Sequence, residues 1–249
     1  MAGQVKFFVA SDPFNLTDWE VQNGPNPNRT KTRAGALTKD GDEFHHAQCG
    51  ANDAGTITYV AKKFTGFLTV PAAGAVADGW HIDSGSVTYN QKGFPTLTLN
   101  VHKHVDGNED ADCRTYVPSF KVPAVAIGIP TTIPLATAQG QVTDVFKLST
   151  SAVVGIRGMS LAWGCNHVDE DDNKGDHFAG DNYDGNETLN VEFTGEVDPE
   201  DDYTLHADWT DDNLARNGGN TVASTTSLTA THHIPHYVAP TGGGGGEDE

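Results

Sequence analysis

Thr96-Leu97-Thr98-Leu99-Asn100-Val101-His102-Lys103-His104 alternates apolar and polar residues without a break. Leu97, Leu99 and Val101 fall on one side of an extended chain. Thr96, Thr98, Asn100 and His102 fall on the other. A period of two is the mark of a strand with one buried face. Asn186 to Thr194 repeats the pattern, with Leu189, Val191 and Phe193 set against Thr188, Asn190, Glu192 and Thr194. Thr56 to Val60, Ser84 to Asn90 and Thr221 to Ile234 read as further strands, and Gly, Asn and Asp clusters punctuate them as turns require. No long segment carries a 3.6-residue period; only Arg33 to Lys39 reads as a short helical turn. The fold class is all-β.

The deciding stretch also has a counterpart. An offset of 129 carries Trp80 onto Trp209, and the same offset lays Thr96 to Val105 over Thr225 to Ile234 without a gap. Thr96, Leu99 and His104 meet Thr225, Leu228 and His233. A second block, Gly41-Asp42-Glu43-Phe44, matches Gly175-Asp176-His177-Phe178 at an offset of 134. Each block leads through an Asn/Gly-rich turn into a strand opening on Thr, at Thr56 and at Thr188. Trp19 and Trp163 lie upstream in comparable places. Repeats of this kind are one module made twice. The expectation is two tandem, similar β-sandwich or β-barrel modules, 1–122 and 150–239. A Pro-rich connector with a lead-in strand, 123–149, joins them. The stretch from Pro118 to Pro134 holds four prolines, which remove backbone donors and disfavour a central strand. The end, 240–249, is Gly-rich and acidic, and reads as a flexible tail.

Composition removes several functions. Fifteen Lys and Arg stand against 34 Asp and Glu, a net charge of −19. A surface of that sign repels nucleic acid, which is gripped by Lys and Arg with release of counterions. No apolar stretch approaches a membrane span, and the apolar run in Met1 to Asp12 is too short for a signal peptide. Synthesis in the cytoplasm is the expectation, with no membrane partner. Three cysteines, Cys49, Cys113 and Cys165, without a CxxC, read as free thiols.

The candidate chemistry is sparse. Asp169 to Glu187 is densely acidic. Asp169, Asp171 and Asn173 have the one-three-five spacing of a calcium loop, and Asp176 follows. Lys174 then occupies the position where a calcium loop needs its turn glycine. The plainer reading is a mobile, solvated loop, with calcium as the possible ion; His177, inside it, suits softer metals. His102 and His104 share a strand face, but zinc would need two more ligands from elsewhere in space. Adjacent pairs such as His232-His233 point to opposite faces. His104 and His233 also mark a repeated position. No GxSxG, P-loop, GxGxxG or HExxH motif occurs, so no catalytic residue is assigned and the chain reads as a non-enzyme without a cofactor.

The ordered blocks around Gly41-Asp42 and Gly175-Asp176, and the late strands ending at His104-Val105 and His233-Ile234, give the chain a resemblance to tailed-bacteriophage virion structural proteins, nearest to the tail tube family. That resemblance implies a homo-oligomer, with three two-module chains making a ring of six modules, stacked around a channel through which DNA passes without specific binding. It implies a place in the virion beside other virion proteins. Rival readings are another virion component (head decoration, neck or tail terminator, or minor capsid protein) and a calcium-dependent carbohydrate-binding module.

Overall fold

A computed structural model of the chain describes residues 11–37, 39–40, 43–105, 113–125, 128–136, 142–152, 154–173, 176–219 and 222–234. The tail from residue 240 and the segment Met1 to Ala10 lie outside them. All regular structure among the described residues is β. The strands are β1 (Trp19–Asn23), β2 (Asn28–Leu37), β3 (Glu43–Ala61), β4 (Phe67–Leu68), β5 (Val76–Ala77), β6 (Trp80–Asn90), β7 (Thr96–His104) and β8 (Val122–Pro123), followed by β9 (Thr132–Ala136), β10 (Val142–Leu148), β11 (Gly155–Asp171), β12 (His177–Thr194), β13 (Tyr203–Leu205), β14 (Thr210–Gly219) and β15 (Val222–His233). No helix among the described residues is long and apolar enough to cross a membrane.

Ten strands form one antiparallel sheet along the path β1-β3-β7-β6-β11-β12-β15-β14, with β2 also on β3 and β5 on β6. The first and second halves of the chain therefore meet inside a single sheet, at the β6–β11 seam. There Leu161 lies opposite Val87 and Trp163 opposite Gly85. The Trp163 ring lies so close over Gly85 that a Cβ there would sit 2.3 Å from its Cζ2.

One face of this sheet carries Leu97, Leu99, Val101, Val87, Leu161, Leu189, Val191 and Leu228, all buried. A three-stranded sheet, β13-β10-β9, and the short pair β4-β8 supply Ile133, Leu135, Phe146, Tyr203 and Val122 to the same core. Phe146 meets Phe193 with ring centroids 6.1 Å apart, and Phe120 meets Trp163 edge-on. The opposite face is polar, as the period-two pattern of β7 requires.

Register relates the two halves closely. In β3–β7, Ile57 opposes Leu99, Gly55 opposes Val101 and Asn52 opposes His104. In β12–β15, Val191 opposes Leu228, Leu189 opposes Ala230 and Asn186 opposes His233. The offsets of 134 and 129 read from the sequence convert one set of pairs into the other. The third strand follows suit. In β6–β7 a bulge falls between Ile82 and Ser84; in β14–β15 it falls between Asp211 and Asn213. Bulges interrupt a ladder at particular residues, so coincident bulges are a stronger likeness than paired strands alone.

Several expectations change. Arg33 to Leu37 belongs to β2, not to a helical turn, because hairpin pairing with β3 outweighs the local preference of a short Ala/Gly-rich run. The Thr56-to-Thr188 alignment slips by two residues: register sets Thr56 with Asn190, a slip that keeps the buried face but shifts the pairing. Trp19 and Trp163 are not counterparts. Trp19 opposes Ala61, whereas Trp163 opposes Glu187, which the offset of 134 lays over Asp53, whose partner in β2 is Arg29. The Pro-rich stretch is not merely extended, since Val122–Pro123 and Thr132–Ala136 form short strands over the core, with both prolines on edges. Asp169 to Glu187 is not an open loop but largely the arms of the β11–β12 hairpin, paired out to Asp171 and His177.

Candidate metal centre

The strongest cluster of functional side chains lies where β7, β6, β11 and β12 run side by side. His102 and His104 are two apart on β7, so both leave the strand on the face opposite Leu99 and Val101. His81 on β6 is directly opposite His102. The β6 bulge re-aims Asp83, the residue after Ile82, whose Oδ1 lies 2.5 Å from His102 Nδ1 and 3.6 Å from His81 Nδ1. From β11, His167 and Asp169 enter the same cluster, and His177 of β12 stacks on His104 at 3.7 Å with the rings 3° from parallel. The ring centroids of His81, His102 and His167 are 4.6 to 4.9 Å apart.

Asn182, wholly buried, fixes the tautomers. Its side-chain nitrogen donates to the Arg114 carbonyl at 2.7 Å and to His81 Nε2 at 3.1 Å. Its oxygen therefore accepts from His167 Nδ1 at 2.8 Å. A carboxylate only accepts, so the 2.7 Å contact of His167 Nε2 with Asp169 Oδ1 makes His167 a donor from both ring nitrogens. His102 donates from Nδ1 to Asp83, and its Nε2 is buried without a hydrogen-bond partner. His104 Nε2 is buried and 3.2 Å from Asp169 Oδ1, without hydrogen-bond geometry. The approach of backbone to this network needs Gly74. Its φ is +85°, and a Cβ would lie 2.6 Å from the Asn182 side-chain nitrogen.

The electrostatics follow from burial and pairing. Burial would raise Asp83, but hydrogen bonds from His102 and His81 overcome it and hold the carboxyl near 2. Burial opposes the charge of Asp169 too, and contacts from His104 and His167 hold it well below the usual carboxylate range. Burial lowers His81, reinforced by the neighbouring imidazoles against the pull of Asp83. His167 goes up: burial works against its charge, and Asp169 and Asn182 outweigh it. Burial pushes the Cys165 thiol up to about 12, so it offers no thiolate. Neutral imidazole is the form that binds metals, so an ion here would compete with protons.

Four sets of three donors come within 4.8 Å of one another: His102-His104-His167, His104-Asp169-His177, His81-Asp83-His102 and His81-Cys113-His167. Asp169, of the expected calcium residues, belongs to this cluster. Asp171, Asn173 and Asp176 lie instead at the hairpin end, where the Asp176 amide donates to Asp172 Oδ1 and Asp172 donates back to the Asp176 carbonyl. Neither Asp171 nor Asp176 joins any three-donor set among the described residues. His232 is elsewhere, 2.7 Å from buried Glu187, while His233 is exposed.

His102 and His104 were visible from spacing, but His81, Asp83, His167 and Asn182 were not. The signal was a His-x-Asp pair, at His81-Ile82-Asp83 and again at His167-Val168-Asp169, echoing His102-Lys103-His104. Only the β6–β11 seam brings the three pairs together. No family model and no curated protein matches this chain.

Proposed function

We propose that the chain is a structural virion subunit of the tail tube kind, built from two tandem copies of one β module and polymerising edge to edge into rings. The observation that carries this is the shared register, bulge included, of β3-β7-β6 and β12-β15-β14. If the halves are copies, β14 corresponds to β6, and β1 with β2 corresponds to β11. The β6–β11 seam is then a contact between the trailing edge of one copy and the leading edge of the next. Among the described residues, the matching outer edges of β14, β1 and β2 carry no pairing strand. The same contact can recur from chain to chain, and a heterologous contact with a closing rotation makes a ring, which hides open strand edges. Three chains would supply six copies.

Copying the seam register onto the outer edges puts Leu214 opposite Arg29 and Asn213 opposite Thr30. It also brings Asp211 and Asp212 beside Lys31. An acidic strand end then meets basic residues in a chain that has few, which favours this pairing over others. Gly24 to Pro27 interrupts the leading edge, so β1 and β2 dock as two short pieces. The net charge of −19 suits a wall past which DNA moves without being held.

Charge reversal tests the edge pairing. Lys31→Glu should shift sedimenting rings toward single chains, and Lys31→Glu with Asp212→Lys should restore them. Rings indifferent to both changes would remove the proposed contact.

A further inference from the structure

We infer that the histidine cluster is a zinc-class metal site, in which Nε2 of His102, His104 and His167 and a carboxylate oxygen of Asp169 bind one divalent ion. Buried nitrogens without a hydrogen-bond partner point to it, Nε2 of His102 and of His104, with His81 Nδ1 beside them facing Asp83. Buried polar atoms are almost always satisfied, so unpartnered nitrogens gathered in one cluster call for a ligand. A cavity of about 10 Å³ lies among His81, His102, His104 and His167. That is room for about one water-sized sphere, and so for an ion and no larger ligand.

The donor geometry suits zinc. Bonds of about 2.0–2.1 Å in a tetrahedron set donors about 3.3 Å apart. Asp169 Oδ1 already stands 2.7 Å from His167 Nε2, whose proton an incoming ion would displace, and 3.2 Å from His104 Nε2. One ring nitrogen from each of His102, His104 and His167 lies within 4.8 Å of the other two, and side-chain shifts must bring Asp169 in as the fourth donor, since the four together do not lie that close. The second layer is in place as well. Asp83 holds the far nitrogen of His102 and Asn182 holds that of His167, the carboxylate and amide contacts that orient metal-bound imidazoles. His81 is a supporting residue rather than a ligand, because Asn182 occupies its Nε2 and its Nδ1 faces Asp83.

The donor types select the ion. Three imidazoles and one carboxylate suit zinc, cobalt or nickel, whereas calcium wants six to eight oxygens and finds one here. Cys113 is the rival fourth donor, but its Sγ donates to the Gly180 carbonyl. With four protein donors the site is closed, as structural zinc sites are. Its ligands come from β7 in the first half and β11 in the second, so the ion would fasten the two halves across the seam.

The test uses the full chain, stripped with chelator and titrated with zinc against a chromophoric competitor. One equivalent should bind, and zinc at one hundred times its Kd should raise Tm by about 5–10 °C, while calcium should not. His102→Ala and His104→Ala should each weaken zinc at least 100-fold. Asp83→Asn should weaken it by about 10–100-fold, and His206→Ala should leave it unchanged. Cobalt loading should give an intense tetrahedral visible spectrum without a thiolate charge-transfer band. X-ray absorption of the zinc-loaded wild type needs no variant to fold, and should read three imidazoles, one oxygen and no sulfur. No stoichiometric uptake, uptake unaltered in His104→Ala, or sulfur in the coordination shell would each overturn the assignment.

Discussion

Gly85→Ala should destabilise the protein through one contact in the seam. The new Cβ would lie 2.3 Å from Cζ2, 2.6 Å from Cε2 and 2.8 Å from Cη2 of Trp163, where ordinary contact begins at 3.4 Å. The indole must retreat by more than an ångström. It is held by a 3.0 Å hydrogen bond from its Nε1 to the Pro71 carbonyl and by Phe120 against its edge. Overpacking a dense core costs about 1–3 kcal/mol, and a strained or lost hydrogen bond adds about 1 kcal/mol. The sum, about 3 kcal/mol, corresponds to a fall in Tm of about 6–12 °C for a chain of this size. Urea denaturation should show a lower midpoint with an unchanged slope. Trp163→Phe removes Cζ2 and Cη2, two of the three clashing atoms, so the double variant should be more stable than the sum of the single effects by at least about 1 kcal/mol. A neutral Gly85→Ala, or strict additivity in the double variant, would refute the account of the seam.

Other outcomes follow from the same coordinates. Glu187 is fully buried and accepts from the Ser119 amide at 2.6 Å, from the Ser119 hydroxyl at 2.5 Å and from His232 at 2.7 Å; Glu187→Ala, which orphans all three donors, should cost about 3 kcal/mol or more, and Glu187→Gln less, read by thermal melting. Neighbouring amides on β14 point to opposite sides, so of Leu214→Pro and Ala215→Pro one should disturb the β15 ladder and lower Tm. The other should leave Tm nearly unchanged and abolish ring formation in sedimentation velocity. Equal behaviour of the two prolines in both assays would argue against assembly through this edge.

Parts of this molecule were legible before any coordinates, and the reasons are physical. β7, β12 and β15 each bury one face, so alternation reveals them, and their offsets anticipated the register between them. β2 was hidden because Ala34 to Leu37 has helix-compatible residues and is held extended by pairing with β3. The short strands β8 and β9 escaped because Pro123 and Pro134 argue locally against strands, yet an edge tolerates them. The site was half legible for the same reason. His102 and His104 are neighbours by spacing on one strand, whereas His167 reaches them only through pairing between β6 and β11, across a separation that no local pattern encodes.

The central claim is that the seam inside the chain is repeated between chains. Negative-stain imaging of the purified protein, over a concentration series and at several salt concentrations, tests it most directly. The account predicts closed rings of three chains that show six similar lobes and stack into tubes. A strict monomer at tens of micromolar under every salt condition would contradict it.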